Sequence, residues 1–144
     1  VMDARAYWVG FNLVRGIGAV RLRNLLEHFG NLEIAWNAPA DALISAGLPT
    51  RIVENFIVIR KQVDLKRIME KVEAQGVKVL TWDDDFYPRR LKEIAQPPPV
   101  LFVRGSINVE DDWAVSVSGL LCGYPLPKPP NRVQSTLKTI GRFR

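Results

Sequence analysis

The chain has 144 residues, 47% hydrophobic and 24% charged, enough for one ordinary domain or one small domain with part of a second. Its formal charge of +5 is localised: of 20 basic side chains, five (Lys128, Arg132, Lys138, Arg142, Arg144) fall in residues 113–144, which hold no acid, so residues 1–112 are neutral overall against 15 acids. The single Cys122 excludes an intrachain disulfide and a multi-cysteine zinc site, no apolar run approaches the roughly 20 residues of a membrane span, and a soluble cytoplasmic protein without a signal peptide is expected.

Residues 4–75 read as helical throughout, with apolar positions such as Leu22, Leu25, Leu26 and Phe29 recurring at three- and four-residue intervals. Gly16 and Gly18 separate the first two helices, and Gly30 stops the second. Pro39 stands at the start of a short helix, Ala40 to Ala46, and Gly47-Leu48-Pro49-Thr50 makes the next break. Thr50 is the expected cap of the helix that carries Ile52, Val53, Phe56 and Ile57. Asp64 is expected to cap a last helix, Leu65 to Gln75, which Gly76 ends.

From Val77 the period changes from helical to extended. Val77 to Thr81 reads as a strand, Val100 to Val103 as a short buried strand ended by Gly105, and the strictly alternating Trp113 to Val117 as a third strand that ends at Gly119. Between the first two, Pro88 fixes its own φ and pushes Tyr87 out of the α region. Pro97, Pro98 and Pro99 forbid continuation of any helix through Leu91 to Ile94.

The spaced set Asp85, Tyr87, Pro88, Leu91, Pro98, Pro99, Leu101 and Gly105 resembles the segment that opens the nucleotide-fold domain of the DNA-processing protein A family (DprA, also called Smf). That family carries Asp-x-x-Tyr-Pro-x-x-Leu followed by Pro-Pro-x-x-Leu-Phe-x-x-Gly. Either Asp84 or Asp85 can supply the acidic member, and Asp85 is assigned to it.

Val14-Arg15-Gly16-Ile17-Gly18 followed by Ala19 to Leu26 is similar to a helix-hairpin-helix element. Glycines without Cβ let the backbone approach a phosphate, and the next helix N-terminus aims N–H groups at it with favourable dipole sign. The expected phosphate-binding set is therefore Arg15, Gly16, Ile17, Gly18, Arg21 and Arg23, gripping backbone without reading bases. The bland alternative is a tight turn with solvated arginines. Leu43 to Pro49 resembles a degenerate second hairpin, in which Pro49 removes one amide.

Other chemistry finds little support. His28 stands beside Phe29 without a second ligand, and Asp83-Asp84-Asp85 are adjacent residues that diverge on a turn. Cys122 has no histidine partner, and Trp8, Trp36, Trp82 and Trp113 read as core or contact residues. No phosphate-loop, dinucleotide or triad signature is present, so no enzyme, metal or cofactor is expected.

Residues 120–144 hold four of the ten prolines and no acid, with no sustained period. Where a relative's strand would end in Gly-Ser/Thr-Arg, this chain reads Ser118-Gly119-Leu120-Leu121, and Gly119 is the residual phosphate-loop position. A broken reading frame and a disordered tail are expected.

The resulting fold class is an α+β fragment: an all-α helix-hairpin-helix (SAM-like) domain over 1–75, the first strands of an incomplete Rossmann-like domain over 76–119, and an irregular tail. Resemblance implies single-stranded DNA binding and RecA loading in natural transformation and recombination, impaired by the missing sheet, with self-association in full-length relatives. The alternative is a small helical adaptor for other proteins. Exposed apolar surface is expected on the strands.

Overall fold

A computed structural model describes residues 2–107. The third strand expected at Trp113 to Val117, Gly119, Cys122 and the tail lie outside the described residues. Within them the architecture is α+β. Helices α1 (Ala4–Leu13), α2 (Ala19–Phe29), α3 (Leu32–Asn37), α4 (Ala40–Ser45), α5 (Thr50–Gln62) and α6 (Leu65–Ala74) come first. Strand β1 (Val77–Thr81), the short helix α7 (Arg89–Lys92) and strand β2 (Val100–Arg104) follow.

Helix α1 is the centre of the packing. Its six successive residues Ala6 to Phe11 are all buried, so it is covered on every side rather than along one stripe. It meets α3, α6 and both strands. Gly10 allows the closest of these approaches: a Cβ there would stand 2.6 Å from Trp36 Cζ3 and 2.8 Å from Leu65 Cδ2. Around Trp36 the rings of Phe11 and Phe56 stand edge-on to its indole and stack on each other with centroids 5.1 Å apart.

Three helix N-termini are closed by short polar side chains. Asp3 accepts from Arg5 N, Asn31 from Ile34 N and Asp64 from Arg67 N, each supplying an acceptor that the first turn lacks. Thr50 does not cap α5. Pro49 already occupies the extended N-cap position, with φ −59° and ψ 142°, which makes Thr50 the first helical residue. At the other end of α3, the Arg60 guanidinium donates to the carbonyls of Trp36 and Ala38, both at 2.9 Å.

The two strands pair antiparallel with Val77 opposite Arg104, Val79 opposite Phe102 and Thr81 opposite Val100. A lone two-stranded ribbon is marginal in water. Here Val79, Leu80 and Val100 are buried in the same apolar cluster as the helices, so the change from helix to strand at Gly76 is not a break in the core. The apolar surface expected on these strands is consequently covered along that face. Among residues 77–107 the large exposed apolar side chains are Phe86 and Ile94, both in the β1–β2 connection.

Candidate nucleic-acid interface

The corner between α1 and α2 is built by one residue in the left-handed region. Gly16 has φ +98°, so the backbone favours glycine here; a Cβ would also come 2.9 Å from Ile52 Cδ1, the end of a side chain that could shift to admit it. Ile17 is buried and anchors the corner in the core. Gly18 is the N-cap of α2 with φ −101° and ψ −168°, ordinary extended backbone, and a Cβ on it would meet nothing within 4 Å. No side chain caps α2, and Gly18 itself is exposed. Fold and sterics therefore account for Gly16 but not for Gly18.

The same succession recurs at the corner between α4 and α5. Gly47 has φ +96°, Leu48 is buried, Pro49 is the N-cap and Thr50 opens the helix, matching Gly16, Ile17, Gly18 and Ala19. The buried pairs Leu22 and Leu25 of α2 find counterparts in Val53 and Phe56 of α5. Ile52, in the first turn of α5, packs against Gly16, so the second corner supports the first.

The three arginines expected to act together are separated by helix geometry. Arg15 is exposed on the turn. Arg21 reaches back and donates to the Gly16 carbonyl, closing the corner it belongs to. Arg23, two residues on and so about 200° around the helix, lies with its guanidinium carbon 5.6 Å from the Trp82 ring centre. Sequence proximity brought Arg15, Gly16, Gly18 and Arg21 to one end of α2, while Arg23 faces another element.

The segment from Thr81 to Gly105 has a clear structural logic. Asp84 Oδ2 accepts from Thr81 N at 2.8 Å and from Thr81 Oγ1 at 3.2 Å, while its Oδ1 takes the Arg5 guanidinium at 3.0 Å. Asp84 is thus the acidic residue that organises the turn; Asp85, to which the sequence reading gave that place, is exposed. Pro97 to Pro99 offer carbonyls and no N–H, and the Pro98 carbonyl accepts from both Tyr87 Oη at 2.7 Å and Trp82 Nε1 at 3.2 Å. Pro88 is the N-cap of α7, and Leu91 and Leu101 pack on the core cluster. Pro99 leads into β2, and Gly105 ends it with φ +105°. Among the described residues no three His, Cys, Asp or Glu side chains gather as a metal site, and no helix is long and apolar enough to cross a membrane.

Two expected results follow from this segment. Asp84→Asn should lower stability by about 1–3 kcal/mol, since a charged acceptor serving three donors is weakened, whereas Asp85→Asn should change it by less than about 0.5 kcal/mol. Urea midpoints of the two variants check the assignment; equal losses would sink it.

The second concerns alkali. Burial raises the Tyr87 phenol above its ordinary value, opposed in part by the Trp82 indole; burial and then the nearby Glu33 raise that of Tyr7. An unfolded tyrosine titrates near 10, so the unfolded chain loses these protons first. Stability is then full below pH 10 and falls as pH rises through 10 toward the folded-state values. Urea midpoints between pH 9 and pH 11 should drop, and drop less in Tyr87→Phe than in the parent chain.

The family model described as DNA recombination-mediator protein A matches residues 78–120. The chain is also similar to Protein Smf of Synechocystis sp. (strain ATCC 27184 / PCC 6803 / Kazusa), with 37% identity over 105 residues, which is 72% of this chain. It spans 26% of the length of that curated relative. No solved structure matches the chain.

Proposed function

Because the chain belongs to the DprA/Smf family, as both comparisons indicate, we propose that it serves DNA processing in recombination, in the cytoplasm, by holding the phosphate backbone of single-stranded DNA. RecA as protein partner, self-association and a Rossmann-like continuation around Gly119 belong to the same proposal, as the resemblance implies them. The role is binding rather than catalysis.

The observation that carries the phosphate contact is Gly18. The fold does not need a glycine there, yet its absence of a side chain leaves the uncapped first turn of α2 open, with exposed Arg15 on the turn before it. An anion at such a position meets unpaired N–H groups and the positive end of the helix dipole. Paired corners at Gly16–Gly18 and Gly47–Pro49 fit a helix-hairpin-helix unit in which the second half, lacking the Pro49 amide, supports the first.

Gly18→Asp tests this directly. Aspartate is a good N-cap in extended backbone, so folding should be unharmed while its carboxylate fills the anion position. Anisotropy titration of a labelled single-stranded oligonucleotide should show salt-dependent binding by the parent chain and a loss of about tenfold or more in the variant. Equal binding by both proteins would overturn the assignment of the site. A protein-adaptor role has one observation in its favour, the exposure of Leu13 and Val20 beside the same corner; it requires partner capture that Gly18→Asp leaves untouched.

A further inference from the structure

A second group of cations gathers where β1 ends, built from three separate elements. Arg23 of α2 lies over the Trp82 ring, Lys92 of α7 donates to the Trp82 carbonyl at 2.6 Å, and Arg5 of α1 pairs with Asp84. Trp82 is held from several directions: Trp8 stands edge-on to it at 5.5 Å and its indole N–H is bonded to Pro98. It is buried, so it is no platform for a base; it is a fixed ring that a guanidinium approaches.

A cation–π contact at this distance uses none of the guanidinium N–H groups as hydrogen-bond donors to a protein acceptor, so they remain available to donate. Arg23 is exposed, and among the described residues no protein acceptor is bonded to it. Its planar fork matches a phosphate, and its contact with the Trp82 ring restricts the side chain and so lowers the entropy lost on binding. We infer that Arg23, in cation–π contact with a Trp82 whose carbonyl holds Lys92, is a second phosphate contact for a nucleic-acid strand, on the other side of α2 from Arg21. This rests on the single-stranded DNA reading above and extends the interface from the Gly16–Gly18 corner to the end of β1. Asp83 and Asp85 are exposed on the adjoining turn and oppose the attraction, so the site takes one phosphate rather than a track of them.

The test is the oligonucleotide titration repeated across a range of salt with Arg23→Gln, Arg23→Lys and Gly18→Asp, each first checked for an unchanged melting curve. Arg23→Gln should weaken binding about three- to tenfold at low salt and reduce the slope of log K against log salt by about 0.7, the value of one phosphate contact on a single strand. Arg23→Lys, which keeps charge but loses the fork, should fall between. If Arg23→Gln binds with unaltered affinity and slope while Gly18→Asp is weakened, this inference fails and the corner site stands. Were the parent chain to show no salt-dependent binding, both readings would fall. Inorganic phosphate is the competing source of the same chemistry: displacement of the strand by low-millimolar phosphate in the parent but not in Arg23→Gln would make this a free-anion site and overturn the strand contact.

Discussion

Phe56→Ala is expected to cost about 3–5 kcal/mol, the range for removing a fully buried phenyl ring from a core that cannot collapse into the space. Phe56 is 0% exposed, stacks on Phe11 with an interplanar angle of 4°, and stands edge-on to Trp36. Its ring also carries the Arg60 guanidinium, which lies 5.3 Å from the centroid while closing the end of α3. One truncation therefore removes an aromatic triad member and frees the arginine that ties α5 to α3. A domain of this size has only about 5–15 kcal/mol of total stability, so the variant should unfold at a markedly lower urea midpoint. Phe86→Ala, at a ring that is 73% exposed, is the matched control and should shift the midpoint by less than about 0.5 kcal/mol equivalent. Similar losses in the two variants would contradict the packing described.

Gly10→Val should be nearly as damaging, about 3 kcal/mol, for the opposite reason. In an exposed helix, replacing glycine commonly helps through propensity, by up to about 1 kcal/mol for alanine. Here the first added carbon already meets Trp36 Cζ3 at 2.6 Å and Trp36 Cη2 at 2.8 Å. A ring wedged among Tyr7, Phe11 and Phe56 has no free direction in which to move, so the helices must separate. Thermal unfolding followed by circular dichroism checks the sign: Gly10→Ala should already lower the midpoint, and an increase would show that α1, α3 and α6 are less closely packed than described.

Much of the secondary structure was legible because the signals were local. Positive-φ glycines at 16, 30, 47 and 76 stand where glycine punctuation marked turns, and Asp64 caps α6 as its position before an apolar-periodic run suggests. Thr50 misled because a hydroxyl residue before a helix looks like a cap regardless of its neighbour. Pro49 had already fixed the extended residue one position earlier. The candidate site was less legible, since it depends on direction. Arg21 and Arg23 look like one basic cluster along the chain, but their side chains leave α2 on opposite sides. Asp84 and Asp85 look alike as neighbouring acids, but only Asp84 stands three residues before Tyr87 as the pattern asks, and the bonds to Thr81 and Arg5 single it out in the structure. The pairing of Arg23 with Trp82 joins residues far apart in sequence, and no periodicity encodes it.

The contact between Ile52 and Gly16 gives the first corner a remote control. Shortening Ile52 would slacken the glycine bend from beneath, and the geometry of the α2 amides would loosen with it. Residues on the second corner therefore belong to the energetics of the first, and the bend between α1 and α2 can be tuned from a helix that lies outside it.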